Sequence, residues 1–456
     1  MTLPQDFENM MTEAIGKEEY RLLAEAIGQQ PPTSIRINSE KVGDGTLDVL
    51  KGAERMPWCD TGFYLPERPQ FTFDPLLHAG CYYVQEASSM FLEHILKQYV
   101  TQPVTALDLC AAPGGKSTLA LSVLPEGSLL IANEAMRQRA NILAENITKW
   151  GNPNCIVTNN YAEDFHAFTD AFDLIICDAP CSGEGMFRKD PASIGEWSLA
   201  NVATCWKRQR DIAKNIWHTL KEGGIFIYST CTYNPHEDEE TVQWIAENLG
   251  AELLSCHPSK EWNLAETNTH FFPHKHKGEG FFISVLRKTS STEETSTHHH
   301  KQKRNKQKNK PLPKFPAEWK DKIILPDHFT FYEDDGTLSA FPTIHFDILR
   351  QAKNTLKVLH SGIELATMKG KNLQPSHTLA LSNSLNRQAF PMAEVDYGQA
   401  IAYLRTEALQ LPSDIPTGYV LITYKDHPLG FAKNIGNRAN NLYPSEWKIR
   451  SILKNK

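Results

Sequence analysis

The amino-acid sequence predicts an α/β fold built on a mostly parallel, doubly wound sheet with a final antiparallel strand. Between residues 104 and 288, short apolar runs that end in small or polar residues alternate with helical stretches, such as those at 137–150 and 201–220. Buried strands separated by helices are typical of a parallel sheet covered on both faces. The predicted strands are VTALDLC (104–110), SLLIANE (128–134), CIVTNN (155–160), FDLIICD (172–178), IFIYST (225–230) and the closing antiparallel FFISVLRK (281–288).

Other segments flank this predicted central domain at 101–288. An N-terminal module at 1–100 begins with a helical stretch at 7–27 and continues into a strand within PPTSIRIN. The stretch at 289–312 has almost no apolar residues, which predicts a disordered linker. Its basic run at 301–310 is either a solvated tether or a contact to phosphate. A C-terminal α+β region at 313–456 ends in a predicted hairpin around Asp-His-Pro.

The composition restricts the class of protein. The chain has 456 residues, of which 41% are hydrophobic, and this excludes disorder throughout. No apolar run reaches the ~18–20 residues of a membrane span, and the first residues are acidic where a secretory signal would be basic and apolar. Nine cysteines without regular spacing are typical of reduced thiols. We therefore expect a cytoplasmic monomer without a membrane partner.

A glycine loop follows the first predicted strand. In DLCAAPGGKS, Gly114 and Gly115 allow tight turns and close approach of a ligand, and the start of the next helix supplies free N–H donors. The spacing matches neither the phosphate loop GxxxxGK[ST] nor the dinucleotide motif GxGxxG. Glycine pairs after strands are common, so the loop alone does not decide between a nucleotide-like ligand and an ordinary turn.

Glu134 ends the second predicted strand, about twenty residues further on. A carboxylate at this place can accept hydrogen bonds from both hydroxyls of a ribose. The alternative is an ordinary solvated glutamate at the start of a helix. Together with the glycine loop, Glu134 favours an adenosine-bearing ligand that is not recognised through a polyphosphate, and S-adenosylmethionine fits this description.

Two cysteines follow neighbouring predicted strands. Cys181 lies just past the fourth strand, in DAPCSGEG, and Cys231 just past the fifth, in STCTYNPHEDEE. The carboxyl ends of parallel strands share one edge of a sheet, so both thiols should face the crevice of the glycine loop. Zinc ligation by Cys177, Cys181, Cys231 and His236 is disfavoured because no CxxC pair sets the spacing. A disulfide is disfavoured by the reduced compartment, and two small buried core thiols are the remaining alternative.

A thiolate beside a methyl donor indicates chemistry on a carbon that is not itself nucleophilic. Carbon 5 of a pyrimidine is such an atom, and addition of a thiolate at carbon 6 makes carbon 5 nucleophilic. In cytosine, N3 must be protonated or hydrogen-bonded as the adduct forms, and a carboxyl group such as that of Asp178 could serve. The alternative role of Asp178 is to cap the turn after the fourth strand, and the two roles are compatible.

These residues carry a resemblance to a known family. The sequence resembles the Sun-family RNA (cytosine-5) methyltransferases, and most closely the bacterial RsmF type that modifies small-subunit ribosomal RNA. The matching segments are PTSIRIN, GCYYVQEASSM, DLCAAPGGKS, ANE with Arg139, CDAPCSGEGMFRKDP and STCTYNPHEDEE. They span residues 32–240, and the paired PCSG and TCTxNPxE segments are highly specific. GFAKNIGNRANN, near the C-terminus, is similar to the RNA-binding module of the RsmF group.

The resemblance implies the S-adenosylmethionine-dependent methyltransferase fold and a set of site residues. Cys231 would be the nucleophile that attacks carbon 6, and Cys181 would assist release of the methylated product. Asp178 would contact both the cofactor and the target base. The family often has an acidic residue after the third strand, whereas Tyr161 stands there in this chain. The cofactor would be held by Cys110, Ala111, Ala112, Pro113, Gly114, Gly115, Lys116, Glu134 and Asp178.

The predicted function is transfer of a methyl group from S-adenosylmethionine to carbon 5 of a cytosine in 16S ribosomal RNA. The alternatives are a transfer RNA cytosine-5 methyltransferase and a non-catalytic RNA-binding assembly factor. Arg188 and Lys189 match a basic spot that could contact RNA phosphate. The net charge of −7 argues against an RNA partner, but residues 418–450 carry five basic and two acidic side chains. The flanking modules would help to hold an unstacked cytosine.

Overall fold

The computed structural model describes residues 2–43, 45–289, 316–370 and 372–451. Of the predicted linker at 289–312, only residue 289 is therefore described. Its basic run at 301–310 lies outside the described residues. The chain begins with two helices, α1 (Gln5–Ile15) and α2 (Lys17–Ile27), where the sequence predicted one helical stretch. Gly16 separates them at φ 86°, a left-handed conformation that other residues rarely adopt.

A small antiparallel sheet follows these helices. Its strands lie in the order β2-β3-β1-β4, and the predicted SIRIN strand forms its β1. Two one-turn helices and a longer helix, α5, complete this part of the chain, and α5 packs into the core of the central sheet. The elements are β1 (Thr33–Ile37), α3 (Ser39–Val42), β2 (Glu54–Arg55), β3 (Gly62–Leu65), α4 (Pro75–His78), β4 (Tyr82–Val84) and α5 (Leu92–Tyr99).

The central sheet has the predicted parallel core. Its five parallel strands lie in the order β9-β8-β5-β6-β7, and α-helices lie in three of the four connections along the chain, the exception being that from β7 to β8. Leu107, Ile131 and Ile175 face one buried layer, while their neighbours along the strands face the other. The elements are β5 (Thr105–Asp108), α6 (Gly115–Val123), β6 (Leu129–Asn133), α7 (Arg137–Trp150), β7 (Cys155–Thr158), β8 (Phe172–Asp178), α8 (Ala192–Glu196), α9 (Leu199–Ile216) and β9 (Leu220–Thr230).

An antiparallel edge completes the sheet beyond β9. The predicted closing strand, β12 (Phe281–Lys288), runs antiparallel to β9, which confirms this feature of the fold class. Two shorter strands, β10 (Ala251–Leu254) and β11 (Thr269–Phe271), pair with β12, and α10 (Glu239–Leu249) precedes them.

The C-terminal region contributes a strand to the central sheet. β15 pairs antiparallel with β7, so the sheet extends beyond the residues predicted to form it. The neighbouring strands form a separate antiparallel sheet in the order β13-β14-β16-β17. The elements are β13 (Phe329–Asp334), β14 (Thr337–Pro342), α11 (Phe346–Thr355), β15 (Val358–Ser361), β16 (Ile363–Lys369), β17 (Asn372–Pro375) and α12 (His377–Leu381).

The last sheet contains the predicted hairpin. The turn falls at Lys425 and Asp426, both at positive φ, and His427 already begins the second strand. The face of this sheet shares a buried core with the N-terminal sheet, in which Ile35 and Tyr82 pack with Val420. The elements are β18 (Met392–Glu394), α13 (Tyr397–Leu404), β19 (Gly418–Tyr424), β20 (His427–Asn434) and β21 (Ala439–Asn441).

Within the described ranges, no helix combines the length and the apolar character needed to cross a bilayer.

Short 3₁₀ turns connect many of these elements. The 3₁₀ turns are Asp48–Leu50, Phe71–Phe73, Ser88–Phe91, Ala162–Ala167, Glu184–Met186, Trp217–Thr219, Lys260–Trp262, Ala317–Lys322, Pro326–His328, Thr343–His345 and Arg387–Ala389.

Candidate active site

The glycine loop lies at the carboxyl edge of the central sheet, between β5 and α6. Gly114 caps the start of α6 with φ 115°, so the turn requires glycine. Helix α7 holds the loop from one side, because Arg139 donates to the carbonyl of Ala112 at 2.7 Å and Asn146 donates to that of Pro113 at 2.8 Å. The loop is thus fixed before any ligand binds.

A cavity of about 340 Å³ opens beside this loop, within the usual size range of small-molecule sites. Of the site residues predicted from the sequence, it is lined by Cys110, Ala111, Ala112, Pro113, Gly115, Lys116, Asp178 and Cys231. Further lining residues come from the N-terminal module, from the end of β5, from the loop after β8, and from the start of β12 and the loop before it. These are Tyr83, Val84, Gln85, Glu86, Ser89, Asp108, Gly185, Met186, Lys189, Glu279, Gly280 and Phe281.

The two predicted thiols are in contact, and of the two only Cys231 lines the cavity. The Sγ atoms of Cys181 and Cys231 are 3.1 Å apart, well beyond the ~2.05 Å of a disulfide, and both residues are free cysteines. The hydrogen bond with Cys231, together with burial, raises the pKa of Cys181 well above its usual value. Cys181 therefore stays protonated at neutral pH and can donate to the sulfur of Cys231.

Asp178 and Lys116 form an ion pair inside the cavity. The Lys116 Nζ lies 2.9 Å from one carboxylate oxygen of Asp178, and Ser229 donates to the other at 2.8 Å. Burial acts to lower the pKa of Lys116, but the charge and hydrogen bond of Asp178 outweigh it and raise that pKa. A fixed carboxylate and a fixed ammonium group thus stand beside Cys231.

A buried polar network supports both cysteine loops. Glu184 accepts hydrogen bonds from the backbone N–H of Tyr233 at 2.8 Å, from Trp197 at 3.0 Å and from Asn234 at 2.8 Å. Glu237 accepts from the backbone N–H of Ser182 at 3.0 Å and from Asn234 at 2.8 Å. Because the two carboxylates tie residues 182–184 to residues 233–237, the network sets the distance between the thiols.

Asp108, at the end of β5, is a cavity residue that the sequence did not single out. Its side chain is fully buried; Oδ2 accepts a hydrogen bond from Ser117 at 2.6 Å, and Oδ1 has no partner among the described residues. Burial raises the pKa of Asp108 to about 7, against the lowering effect of the Ser117 hydrogen bond. A buried carboxylate oxygen without a donor is available to a ligand.

Glu134 lies beside the cavity and is not part of its lining. Its side chain is buried, accepts a hydrogen bond from the backbone N–H of Met136 at 2.9 Å, and is 3.6 Å from the guanidinium of Arg139. Tyr161, which stands where the family often has an acid, is 59% exposed. The following Asp164 caps its own turn by accepting from the backbone N–H of Tyr161 at 2.9 Å.

Two further side chains considered from the sequence are engaged elsewhere. Arg188 is buried in an ion pair with Glu279 at 2.8 Å and also donates to the carbonyl of Gly278, so its guanidinium does not face an RNA phosphate. Its neighbour Lys189 does line the cavity. His236 pairs with Glu240 at 2.9 Å on the surface, away from the cysteines.

Among the described residues, one group of side chains could hold a metal ion, and it contains no cysteine. Asp238, Glu239 and His270 place candidate ligand atoms within 4.8 Å of one another. None of the four residues weighed as zinc ligands belongs to that group.

The lining residues Gln85, Glu86 and Glu279 were missed because they come from distant parts of the chain. Gln85 and Glu86 directly follow β4 of the N-terminal sheet, and Glu279 precedes β12. Glu86 joins the two segments by accepting from the backbone N–H of Glu279 at 2.9 Å. The sequence signal that could have indicated Gln85 and Glu86 is their position as two polar residues directly after the apolar strand in GCYYVQEASSM.

Comparison with known proteins agrees with this architecture. The family model of the 16S rRNA methyltransferase RsmB/F matches residues 98–287. The model of the N-terminal domain of 16S rRNA methyltransferase RsmF matches residues 3–87, and that of the methyltransferase RsmF PUA domain matches residues 391–449.

Two similar proteins are each named ribosomal RNA small subunit methyltransferase F. A ribosomal RNA small subunit methyltransferase F from Pectobacterium atrosepticum is 30% identical over 98% of this chain and 96% of its own length. One from Aliivibrio fischeri strain MJ11 is 31% identical over 91% of this chain and 90% of its own.

Solved structures from Pyrococcus horikoshii share the fold. A methyltransferase homolog is 27% identical, with a TM-score of 0.53, over 62% of this chain and 95% of its own. NSun6 with SFG is 19% identical, with a TM-score of 0.53, over 63% of this chain and 99% of its own, and its likeness concerns the fold alone.

The fold and the matched central domain define an S-adenosylmethionine-dependent methyltransferase. More specifically, the chain belongs to the RsmF family of 16S rRNA methyltransferases.

Proposed function

We propose that this protein transfers the methyl group of S-adenosylmethionine to carbon 5 of a cytosine in 16S ribosomal RNA, through a covalent adduct between Cys231 and carbon 6. One observation carries the proposal: the Cys231 thiol lines the same cavity as the glycine loop, 3.1 Å from Cys181. A nucleophile beside a cofactor loop suits covalent activation of a pyrimidine.

The cavity suits the proposed cofactor in two respects. Gly115 leaves room for close approach, since a Cβ there would lie 3.4 Å from the ring of Tyr83 and 3.5 Å from the amide carbon of Gln85. Asp108 offers a buried oxygen without a donor, which suits the α-ammonium group of a methionyl moiety. Cys110–Lys116 would then hold the cofactor, with Glu134 supporting the loop through Arg139.

The reaction follows from the groups at the cavity. The thiolate of Cys231 forms a bond to carbon 6, while the Asp178–Lys116 pair stabilises the charge that develops at N3. S-adenosylmethionine, held by Cys110–Lys116, would supply an electrophilic methyl group for carbon 5, and the electron pair of the broken methyl–sulfur bond would stay on sulfur. Loss of the carbon-5 proton to a base and departure of the Cys231 sulfur restore the double bond.

Cys181 is placed to assist the last step. Its S–H group lies 3.1 Å from the departing sulfur, and its raised pKa keeps the proton in place. A donated hydrogen bond stabilises Cys231 as a leaving thiolate without consuming the proton. This geometry supports assignment of Cys231 as nucleophile and Cys181 as the residue that promotes release.

The C-terminal module offers a surface for RNA. Lys433, Arg438, Lys448 and Arg450 are exposed there, and none forms an ion pair within the described ranges. Exposed cations that no carboxylate neutralises attract phosphate by release of counterions. The overall charge of −7 is thus an average over unlike regions.

The affinity for cofactor is expected to depend on pH through Asp108. Its pKa of about 7 means that the free protein carries a protonated Asp108 below that pH, whereas a bound ammonium requires the carboxylate. Affinity for S-adenosylhomocysteine should therefore weaken by about tenfold per pH unit below 7. Calorimetric titration between pH 6 and 8 measures this slope, and it should flatten in Asp108→Asn; an equal slope in both proteins would contradict the assignment.

The proposed substrate is tested by bisulfite sequencing of ribosomal and transfer RNA from a deletion strain. A cytosine in 16S rRNA should lose its methylation and regain it when the intact gene is restored, but not with the Cys231→Ala variant. Loss confined to transfer RNA would identify the alternative substrate. If every cytosine kept its methyl group, the non-catalytic assembly factor would be favoured, although the close pair of thiols speaks against it.

A further inference from the structure

Arg36, on β1 of the N-terminal sheet, is a fully buried cation that forms no ion pair in direct contact among the described residues, although the charge of the buried Glu93 acts on it from further away. It donates to Gln85 at 2.9 Å and to the hydroxyl of Thr118 at 2.6 Å, and its guanidinium stacks on Trp150 at 4.4 Å. Its Nη1 has no hydrogen-bond partner in the described part of the chain. Because a buried charge without a counterion in contact is costly, an anion bound nearby would stabilise this arrangement.

Gln85 connects this charge to the cavity. An arginine only donates, so the Gln85 atom facing it must be Oε1, and this fixes the orientation of the amide. The other end, Nε2, has only a long contact of 3.5 Å to Ser89, and a Cβ on Gly115 would lie 3.6 Å from it. Gln85 therefore presents an N–H donor to the cavity above the first turn of α6.

The surroundings of this donor favour a carboxylate. The start of α6 contributes free backbone N–H groups and the positive end of the helix dipole. Lys116, on the same turn, is held by Asp178 at 2.9 Å. Asp108, which also lines the cavity, leaves one oxygen free for an ammonium group. A donor region and an acceptor in one cavity together suit the zwitterionic end of an amino acid.

We propose that Gln85 binds the carboxylate of the cofactor's methionyl group, and that Arg36 is a positioning residue that fixes the Gln85 amide and supplies the positive charge. The N-terminal module thus completes the cofactor site of the central domain. The inference rests on the proposed cofactor site, and it adds ligand contacts that lie outside the glycine loop.

The test compares two ligands on the full-length protein by isothermal titration calorimetry. S-adenosylhomocysteine carries the amino-acid end, whereas 5′-methylthioadenosine keeps the adenosine and the thioether without it. In Gln85→Leu, we expect the affinity for S-adenosylhomocysteine to fall by about 10- to 100-fold, the effect of one lost hydrogen bond to a charged group. The affinity for 5′-methylthioadenosine should stay within about twofold. Gln98→Leu, half-buried and outside the cavity lining, is the matched control.

Two further variants keep the test decisive if Gln85→Leu folds poorly. Gln85→Glu gives Arg36 a counterion, so the protein should retain its thermal stability but bind S-adenosylhomocysteine more weakly because the two carboxylates repel. Arg36→Lys should weaken the same ligand by about three- to tenfold and leave 5′-methylthioadenosine unchanged, a split that a purely structural role of Arg36 would not produce.

Several outcomes would overturn the inference. An equal loss for both ligands would show that Gln85 only shapes the cavity. Unchanged affinity for both ligands with a raised KM for RNA would place Gln85 at the target base. The proposed cofactor site itself would be wrong if wild-type protein bound neither ligand, or if Lys116→Met left the affinity for both unchanged. Both results differ from the two outcomes described for the Gln85 variant.

Discussion

Methyl transfer is expected to fall by on the order of 10⁴-fold or more when Cys231 is replaced by alanine, and no covalent adduct with RNA should form. The reason is that the proposed reaction has no path to a nucleophilic carbon 5 without the thiolate. The variant should still bind S-adenosylhomocysteine, because the glycine loop is held by Arg139 and Asn146 and not by the thiol.

Cys181→Ala is expected to behave in the opposite way. Removing the S–H group 3.1 Å from the Cys231 sulfur takes away the donor that stabilises it as a leaving group. The adduct should form and persist, so a labelled RNA band should migrate with the protein on a denaturing gel. The double variant Cys181→Ala with Cys231→Ala should show no such band.

The matched control is Cys256→Ala, since Cys256 is a buried free cysteine that does not line the cavity. This variant should retain activity and show no adduct. A persistent adduct in Cys231→Ala, with none in Cys181→Ala, would reverse the roles assigned to the two cysteines. An adduct in neither single variant would argue against covalent catalysis altogether.

The placement of the two thiols at one edge of the sheet could be expected from the sequence because it follows from topology. Cys181 and Cys231 each follow a strand of a parallel sheet, and β8 and β9 are hydrogen-bonded neighbours. Any residues at those positions would share one edge of the sheet. The glycine loop after β5 lies at the same edge for the same reason. Two thiols beside a glycine loop then indicated covalent activation of a pyrimidine next to a methyl donor.

Residues brought in by long-range contacts could not be found in this way. Arg188 was expected to contact phosphate, but it pairs with Glu279, 91 residues away, and no local pattern predicts that pairing. The strand β15 joins the edge of the central sheet at β7, although its run VLHS is too short to distinguish from a loop. Gln85 reaches the cavity because the N-terminal sheet packs over α6. These contacts depend on tertiary packing, which periodicity does not encode.

The largest loss of stability is expected from Glu184→Ala. The variant would remove the acceptor of the buried N–H groups of Tyr233 and Trp197 and one of the acceptors of Asn234, which keeps its bond to Glu237. At ~1–3 kcal/mol for each unsatisfied buried group, and allowing for non-additive relaxation, the free energy of unfolding should fall by about 3–5 kcal/mol. Urea denaturation monitored by tryptophan fluorescence measures this change. Activity should also fall, because Glu184 helps to fix the loop of Cys231.

The stability difference between wild type and Glu184→Ala should depend on pH, which distinguishes a titrating carboxyl group from a packing defect. Burial and the charge of Glu237 raise the pKa of Glu184 to about 7, whereas its ordinary value is 4.5. Folding therefore takes up a proton between these values, and the contribution of Glu184 to stability decreases as pH rises through this window. The variant lacks this contribution, so the difference should be larger at pH 5 than at pH 8. Glu196→Ala, an exposed glutamate on α8, should change stability by less than about 0.5 kcal/mol at either pH. A difference of equal size at both pH values would show that Glu184 does not titrate in this range.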